Sequence, residues 1–494
     1  MNITDPIRRH AQQSPEALAV VRAGDVVTYR ELDRVIDALA ARLAGLGLGA
    51  GDAAGVMVSG RYGRLALTLA LARIGAAAAT VRKPAKSLGG VALKTCFVDA
   101  SISSNAVAGC IKVDREWWRI PAATQRVPPV PPHPDGGAIC LIVTSSGTTG
   151  TAKALALSHD IMCTRLRARS AVLPIPERPR QLCMLGLGTH YGMAGVLQAL
   201  WSGGLVTMAF NGSLHGAIQL YQLNYLVMSP AQLHGLLDQL PEGAGPFPSL
   251  EVVEIGGSLI PARLARLARK RLCANTWVAY GASETGNVAV ASLAALENNP
   301  GAAGFVTAGV EVEAVDADAR PLPAGVEGTI RIRGENCIGA YLGDAAASAM
   351  AFRDGWFYPG DVGSVSGKGL LTIAGRTDEL INAGGLKVSP QVIEDVVLMN
   401  PDVSEAAAFA APNAATGMQE IWIAIVQSRP VDTAALCAFC VERLGPAGAP
   451  TSVLVVEALP RNRNGKVLRD QLVKAADAKS KTPVMKKARP PLLH

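Results

Sequence analysis

The 494-residue sequence is poor in aromatic residues, which make up 4% of the chain, and charged residues account for only 18%. The hydrophobic fraction is nevertheless 49%. Disordered chains have few apolar residues and a high net charge, so this composition excludes disorder of the whole chain. At about 150 residues per domain, the length predicts about three units, or one large α/β domain with a smaller one.

A long hydrophobic run is also lacking. Residues 1–18 contain no apolar core of the kind found in signal peptides, and the longest run of small apolar residues, 65–81, is interrupted by Arg73. The nine cysteines are scattered, without the dense spacing of a disulfide framework. We therefore expect a cytoplasmic protein with reduced thiols and no membrane span.

The net charge of +7 is concentrated at one end of the chain. Residues 474–494 hold six Lys or Arg against Asp477, so the rest of the protein is nearly neutral. Nucleic-acid binding requires an extended basic face, and the sequence therefore predicts no nucleic-acid partner. The tail itself is interpreted as a solvated end, with docking of an acidic carrier protein as the alternative.

Helical and strand patterns alternate along the first part of the chain. Apolar residues at helical spacing over 28–48 precede a short apolar run, and a second helix over 64–74 leads into a strand of small residues. This alternation predicts an α/β fold. The pattern changes to shorter units after Arg376, so we predict an N-terminal domain over 1–377 and a C-terminal domain over 378–494.

Two common nucleotide-binding motifs are missing. The glycines near residue 47 precede a strand and form no G-x-G-x-x-G pattern, and Ala152 and Ala154 stand where a Walker A loop requires Gly and Ser or Thr. A predicted strand nevertheless runs directly into the loop SSGTTGTAK at 145–153. Its glycines, hydroxyl groups and terminal lysine are suited to binding a polyphosphate.

This loop and four later motifs resemble, in order, those of the adenylate-forming superfamily of acyl-CoA synthetases, peptide-synthetase adenylation domains and luciferases. The loop differs from the phosphate-binding motif of that superfamily only at Ala152, which replaces proline. The later motifs are YGASETG at 280–286, YPGDVG at 358–363, GRTDELINAGGLKVSP at 375–390 and PRNRNGKVLRDQL at 460–472. The resemblance covers essentially the whole chain, and it implies a large multi-sheet α/β domain followed by a smaller, mobile α+β domain.

The resemblance implies that a carboxylate attacks the α-phosphate of ATP, giving acyl-AMP and pyrophosphate, and that a thiol then attacks the mixed anhydride. Both reactants of the first step are anions, so a metal ion and a lysine would neutralise charge where a general base could not. The implied cofactors are ATP, Mg²⁺ and coenzyme A, or the phosphopantetheine of a carrier protein in place of coenzyme A. No carrier domain follows Lys466, so the thiol would come from a separate molecule.

Individual residues receive roles from the same resemblance. Glu284 would bind Mg²⁺, Asp361 would accept hydrogen bonds from both ribose hydroxyls, and Lys466 would bridge the carboxylate and the α-phosphate. The other residues expected to bind ATP or AMP are Thr144, Ser145, Ser146, Gly147, Thr148, Thr149, Gly150, Lys153, Gly256, Gly257, Ser258, Tyr280, Gly281, Ala282, Ser283 and Arg376.

The resemblance also predicts a hinge and a channel. Asp378 resembles the residue about which the C-terminal domain rotates between the half-reactions, and Gly384 and Gly385 would border the thiol channel. A simple turn is the alternative for the paired glycines. His190 stands where many family members have a histidine at the acyl and acceptor channel, and a purely structural role for it is equally open.

The segment 185–195, with Gly281 and Ala282, is expected to line the acyl pocket. Gln181–Leu200 contains no acidic residue, whereas related domains that take α-amino acids have an Asp there, so the substrate is predicted to be another carboxylic acid. We predict an acid–thiol ligase of the acyl-CoA synthetase type. Two alternatives remain: a stand-alone adenylation enzyme that loads a carrier protein, and a non-catalytic scaffold relative.

Overall fold

The structure, a computed structural model, describes residues 1–22, 25–100, 109–119, 128–145, 153–209, 212–299, 301–377, 381–383, 386–412, 419–446, 448–461 and 467–481. The chain divides into two units. The first comprises Met1–Ile260 and Leu264–Ile373, and the second comprises Pro261–Arg263 and the chain from Ala374 onward. Asp378 lies outside the described residues, so the predicted hinge there stays a prediction.

Thirteen helices form within the described ranges, most of them begun by a side chain that accepts a hydrogen bond from the first turn. Thr28 and Glu31 form a reciprocal capping box at the start of α2. The helices are α1 (Asp5–Gln13), α2 (Tyr29–Gly45), α3 (Arg61–Arg73), α4 (His159–Val172), α5 (His190–Trp201), α6 (Leu214–Leu220), α7 (Pro230–Gln239), α8 (Ala262–Arg271), α9 (Leu293–Leu296), α10 (Ala345–Ala351), α11 (Pro390–Val397), α12 (Thr433–Leu444) and α13 (Arg469–Lys481).

Most of the strands are short, and those in the middle of the first unit are largely apolar. They are β1 (Leu18–Arg22), β2 (Asp25–Thr28), β3 (Ala53–Met57), β4 (Ala77–Thr80), β5 (Ser87–Leu88), β6 (Val91–Ala92), β7 (Thr95–Asp99), β8 (Cys110–Val113), β9 (Ile139–Thr144), β10 (Ala154–Ser158), β11 (Arg180–Cys183), β12 (Leu205–Thr207), β13 (Tyr225–Met228), β14 (Val252–Gly256), β15 (Thr276–Ala282), β16 (Gly286–Ser292), β17 (Ala302–Val306), β18 (Val310–Val315), β19 (Gly328–Gly334), β20 (Phe352–Arg353), β21 (Trp356–Phe357), β22 (Asp361–Val365), β23 (Leu370–Arg376), β24 (Ile381–Ala383), β25 (Leu386–Val388), β26 (Val403–Pro412), β27 (Gln419–Gln427) and β28 (Ser452–Val455).

The largest sheet of the first unit changes from parallel to antiparallel strand pairing after β15. Strands β1, β12, β11, β13, β14 and β15 are parallel neighbours. Strand β16 then pairs antiparallel with β15, and β17 pairs antiparallel with β16. Parallel strands are covered on both faces, which explains why β13 and β14 are buried at every position. Ligands bind at the carboxyl ends of such strands, where β14 ends at Gly256.

A second sheet of the first unit carries the hairpin of the predicted phosphate loop. Its strand order is β10-β9-β4-β3-β7-β8, with β10 antiparallel to β9 and the remaining neighbours parallel. Strand β9 is the predicted apolar strand before the loop. Helix α3 is nearly apolar from Leu65 to Ala72 and is buried over that whole stretch, as expected of a helix covered on all sides.

The second unit has a core of its own. Strands β26, β27 and β28 form one sheet, against which Ile393 and Val397 of α11 and Leu436 of α12 are buried. For this region the sequence predicts a helix over 390–399, a strand over 421–427 and a helix over 432–444, and these segments form α11, β27 and α12. No helix in the described ranges is both long enough and apolar enough to cross a bilayer.

His159 makes the stability of the first unit depend on pH. This residue begins α4, is fully buried, and its Nδ1 accepts the backbone N–H of Ile3 at 3.1 Å. Burial lowers its pKa from 6.5 to about 4. Between these values the unfolded chain binds a proton that the folded chain excludes, so stability is lost as the pH falls.

We expect His159 to lower the free energy of unfolding by about 3 kcal/mol between pH 6.5 and pH 4. Urea titrations of the wild type and of His159→Gln across this range measure the effect. The difference between the two pH dependences reports on His159 alone, because the two proteins share every other titratable group. A variant with the same pH slope as the wild type would contradict the expectation.

Candidate functional site

The end of β14 forms the first wall of the candidate site, and two of its glycines cannot be replaced without strain. A Cβ on Gly256 would lie 2.5 Å from the hydroxyl oxygen of Tyr191. Gly257 has φ +92°, a left-handed conformation that favours glycine. Gly257 and Ser258 are exposed, so the predicted adenine-side turn presents its backbone at the carboxyl edge of the sheet.

The motif YGASETG forms the hairpin between β15 and β16. Within its turn, the backbone N–H of Ala282 donates to Thr285 Oγ1 at 3.1 Å, and Gly281 faces the opposite strand so closely that a Cβ would lie 1.9 Å from the carbonyl oxygen of Gly286. Ala282 and Ser283 are half-buried, and Glu284 is buried. The hairpin therefore places the predicted phosphate and metal residues at one tip.

Gly281→Ala is expected to displace this tip, because the obstructing atom belongs to the backbone. We predict that the rise in melting temperature produced by ATP with Mg²⁺ is lost in this variant. The matched control is Gly235→Ala in α7, where a Cβ meets nothing within 4 Å and helix propensity predicts a gain of about 1 kcal/mol. A full ATP-dependent shift in Gly281→Ala would contradict the prediction.

Arg165, which was not predicted from the sequence, binds the backbone of the hairpin tip. Its guanidinium donates to the carbonyl oxygens of Asn336 at 2.9 Å, Ser283 at 3.0 Å and Glu284 at 2.8 Å. Burial lowers the pKa of Arg165 to about 10, so the group stays protonated at neutral pH. Five donors in a rigid plane can engage several carbonyls at once, which a lysine cannot do.

Glu284 has one carboxylate oxygen occupied. Oε1 accepts a hydrogen bond from the hydroxyl of Tyr341 at 2.8 Å, and within the described ranges Oε2 accepts none. Mg²⁺ bound to phosphates takes one or two carboxylates from the protein and completes its shell with phosphate oxygens and water. A carboxylate with one oxygen fixed and the other available fits this role, so Glu284 would hold the ion.

The predicted phosphate loop closes a hairpin. Thr144 pairs with Ala154, and the backbone N–H of Ser145 donates to the carbonyl oxygen of Lys153 at 2.8 Å. The ammonium of Lys153 lies 4.9 Å from the ring centroid of Tyr341, so one tyrosine contacts both Lys153 and Glu284. The predicted residues Ser146, Gly147, Thr148, Thr149 and Gly150 lie outside the described residues.

Two residues predicted from separate motifs meet directly. The hydroxyl of Tyr280, on β15, donates to Oδ2 of Asp361, the first residue of β22. Asp361 is buried, with 7% of its surface exposed. Its carboxylate is therefore oriented by the tyrosine that the resemblance places beside adenine. Arg376, predicted for the ribose and phosphate side, is the last residue of β23.

His190 opens helix α5 and is buried, with 5% of its surface exposed. Its Nε2 has no hydrogen-bond partner in the part of the chain that the structure describes. Burial, followed by the charges of Arg165 and Arg169, lowers its pKa well below the usual value. The imidazole is therefore neutral at physiological pH, and its role in the acyl channel stays a prediction.

A buried network lies behind Gly256 and was also missed in the sequence. Glu254 of β14 is fully buried and pairs with Arg169 at 2.5 Å. Glu254 also accepts hydrogen bonds from the hydroxyls of Tyr225 and Tyr191, the latter at 2.5 Å. The network fixes Tyr191 against Gly256. Tyr191 is only half-buried and lies within the segment 185–195, which is predicted to line the acyl pocket.

Four further predicted residues lie outside the described residues: Lys466, Asp378, Gly384 and Gly385. Their roles in catalysis, domain rotation and thiol passage stay predictions.

Sequence profiles of two related families match the chain. The profile described as AMP-binding enzyme matches residues 7–342, and the profile described as AMP-binding enzyme C-terminal domain matches residues 392–466. Among similar proteins, an oxalate–CoA ligase of Arabidopsis thaliana is 29% identical over 351 residues, which is 68% of this chain and 67% of the relative. A feruloyl-CoA synthase of Amycolatopsis sp is 27% identical over 487 residues, covering 94% of this chain and 97% of the relative.

The fold is shared with solved structures. O-succinylbenzoate coenzyme A synthetase from Bacillus subtilis, in complex with ATP and magnesium ion, superposes with a TM-score of 0.81 at 23% identity, over 95% of this chain and 99% of that chain. The predicted fold class, a large N-terminal α/β domain with a smaller C-terminal domain, is confirmed. Because the first profile alone spans more than half of the sequence, the chain belongs to the AMP-binding enzyme family.

Proposed function

We propose that the protein is an AMP-forming acid–thiol ligase that activates a carboxylic acid as acyl-AMP, releases pyrophosphate and transfers the acyl group to coenzyme A. The observation that carries the proposal is that Lys153 and Glu284 both contact Tyr341, the lysine at the ring face and the carboxylate at the hydroxyl. This arrangement brings a cation for phosphate oxygens and a carboxylate for Mg²⁺ together, which is what attack by one anion on another requires.

Different residues would bind the phosphates and the ribose of ATP. The hairpin around Ser145 and Lys153 would bind the β- and γ-phosphates, and Asp361, oriented by Tyr280, would accept hydrogen bonds from the ribose hydroxyls. Mg²⁺ held by Glu284 would supply positive charge to the phosphate oxygens. Lys466 would bridge the carboxylate and the α-phosphate during acyl-AMP formation.

The acid is proposed to be a carboxylic acid other than an α-amino acid. No acidic side chain stands in Gln181–Leu200 to pair with an ammonium group, and Glu254, a buried carboxylate in contact with Tyr191 of this segment, is already paired with Arg169. The similar proteins are named for oxalate and for feruloyl-CoA, which differ widely in size. The half-buried ring of Tyr191 would form part of the wall that selects among acids.

Coenzyme A is the proposed thiol, since the similar proteins are named as CoA ligases and synthetases. We also propose that the protein is located in the cytoplasm, because ATP and coenzyme A are available there.

Pyrophosphate release from ATP, measured across a panel of short, medium, aryl, dicarboxylic and amino acids, tests the proposal. A strong signal with one acid class, followed by acyl-CoA formation when coenzyme A is added, is the expected result. Acyl transfer to a carrier protein but not to coenzyme A would overturn the choice of thiol. No pyrophosphate release with any acid of the panel, with ATP binding intact, would favour a non-catalytic relative.

A further inference from the structure

Tyr341 occupies a position to which neither the motifs nor the proposed reaction assigns a role. It follows β19 in a segment without regular structure, and its side chain is buried, with 7% of its surface exposed. The phenol hydroxyl donates to Oε1 of Glu284 at 2.8 Å. The face of the same ring lies 4.9 Å from the ammonium of Lys153.

The backbone around Tyr341 is held on two sides. Its N–H donates to Oγ of Ser348 in α10 at 3.0 Å, and the next N–H, that of Leu342, donates to the carbonyl oxygen of Ala154 at 2.8 Å. The ring itself packs edge-on against Phe352 at 5.2 Å between centroids. The phenol therefore has a fixed location, with its main chain tied to β10 one residue beyond Lys153.

We propose that Tyr341 is a positioning residue that sets the Glu284 carboxylate for Mg²⁺ and couples it to Lys153 through the ring. A hydrogen bond to Oε1 restricts the carboxylate to one orientation and directs Oε2 to the metal, as partners of metal ligands generally do. The ring face holds the lysine ammonium by a cation–π interaction. This inference rests on the proposed function, because it assigns Mg²⁺ and phosphates to these two residues.

Tyr341→Phe separates the two contacts, since it removes the hydroxyl and keeps the ring. We expect the Mg²⁺ concentration for half-maximal pyrophosphate release to rise about 10- to 100-fold, the usual cost of losing a partner of a metal ligand. The KM for ATP at saturating Mg²⁺ should change little. Tyr341→Leu removes both contacts, so it should raise the KM for ATP in addition.

A second readout requires no acid. The rise in melting temperature with ATP, titrated with Mg²⁺, should shift to higher Mg²⁺ in Tyr341→Phe by a similar factor. A wild type that shows this Mg²⁺-dependent rise but releases no pyrophosphate would refute the ligase function and leave the role of Tyr341 testable. The two proposals therefore fail separately.

Tyr29→Phe is the matched control. Tyr29 is also buried, and its hydroxyl donates to the carbonyl oxygens of Leu200 at 3.2 Å and Gly204 at 2.8 Å, neither of which is a predicted site residue. This variant should melt at a lower temperature with an unchanged Mg²⁺ requirement. In a Glu284→Gln background, Tyr341→Phe should add no further Mg²⁺ effect. A Tyr341→Phe protein that melts lower but keeps the wild-type Mg²⁺ requirement in both readouts would overturn the proposal.

Discussion

Lys466→Ala is expected to abolish formation of acyl-AMP from acid and ATP, while transfer of the acyl group from preformed acyl-AMP to the thiol stays largely intact. By the resemblance of the motif PRNRNGKVLRDQL, this lysine would act in the step in which two anions react, and only that step would need its charge. Loss of one preorganised charge directed at a transition state typically costs about 10²- to 10³-fold in rate. Pyrophosphate release measures the first half-reaction, and acyl-CoA formation from synthetic acyl-AMP measures the second.

The matched control is Lys474→Ala, which removes an exposed lysine from α13. It should leave both half-reactions unchanged. Equal losses in the two half-reactions of Lys466→Ala would contradict a mechanism with a separate conformation for each step, and would indicate a shared role or misfolding.

Arg169→Leu is expected to lower the free energy of unfolding by about 3 to 5 kcal/mol. The substitution leaves the carboxylate of Glu254 buried without its cation, and an uncompensated charge in the interior is the reason that breaking one half of a buried ion pair is so costly. Glu254 is fully buried, and the Arg169 side chain is 4% exposed. Urea unfolding followed by tryptophan fluorescence measures the loss.

The double variant Arg169→Leu/Glu254→Leu tests the cause. Removing both charges should recover most of the stability lost by Arg169→Leu, because no unpaired charge remains. Arg167→Leu on the same helix is the control: Arg167 is exposed, and surface substitutions usually change stability by less than about 0.5 kcal/mol. A double variant no more stable than Arg169→Leu would show that packing, rather than charge, dominates at this position.

Local patterns in the sequence predicted the elements well wherever one face is buried. The helices over 28–48 and 432–444 are close to the observed α2 and α12, since apolar spacing directly reflects which side of a helix is covered. The motifs also identified Tyr280 and Asp361, although not their hydrogen bond. That contact joins residues 81 positions apart, and spacing along the chain contains no information on it.

The supporting residues of the site could not be found from local patterns. Arg165 is one of three arginines in the segment RLRARS. Nothing in the neighbouring sequence distinguishes a buried arginine that binds carbonyl oxygens from an arginine exposed to solvent. Tyr341 lies in no motif that the sequence analysis used. Glu254 is the exception, since a carboxylate inside an apolar strand indicates a buried charge, and a buried charge requires a partner.

The three carbonyl contacts of Arg165 also determine when the site can form. They join residues 118, 119 and 171 positions apart. Contacts between such distant positions form late, because the entropy of closing long loops must be overcome before they contribute. During synthesis, helix α4 emerges well before Asn336, so the hairpin tip that carries Glu284 receives its full support only when most of the first unit has been made. The position of Glu284, the proposed metal ligand, is therefore a product of the completed fold of this unit, and a chain that ends before Asn336 would lack the Arg165 contact to Asn336 that supports it.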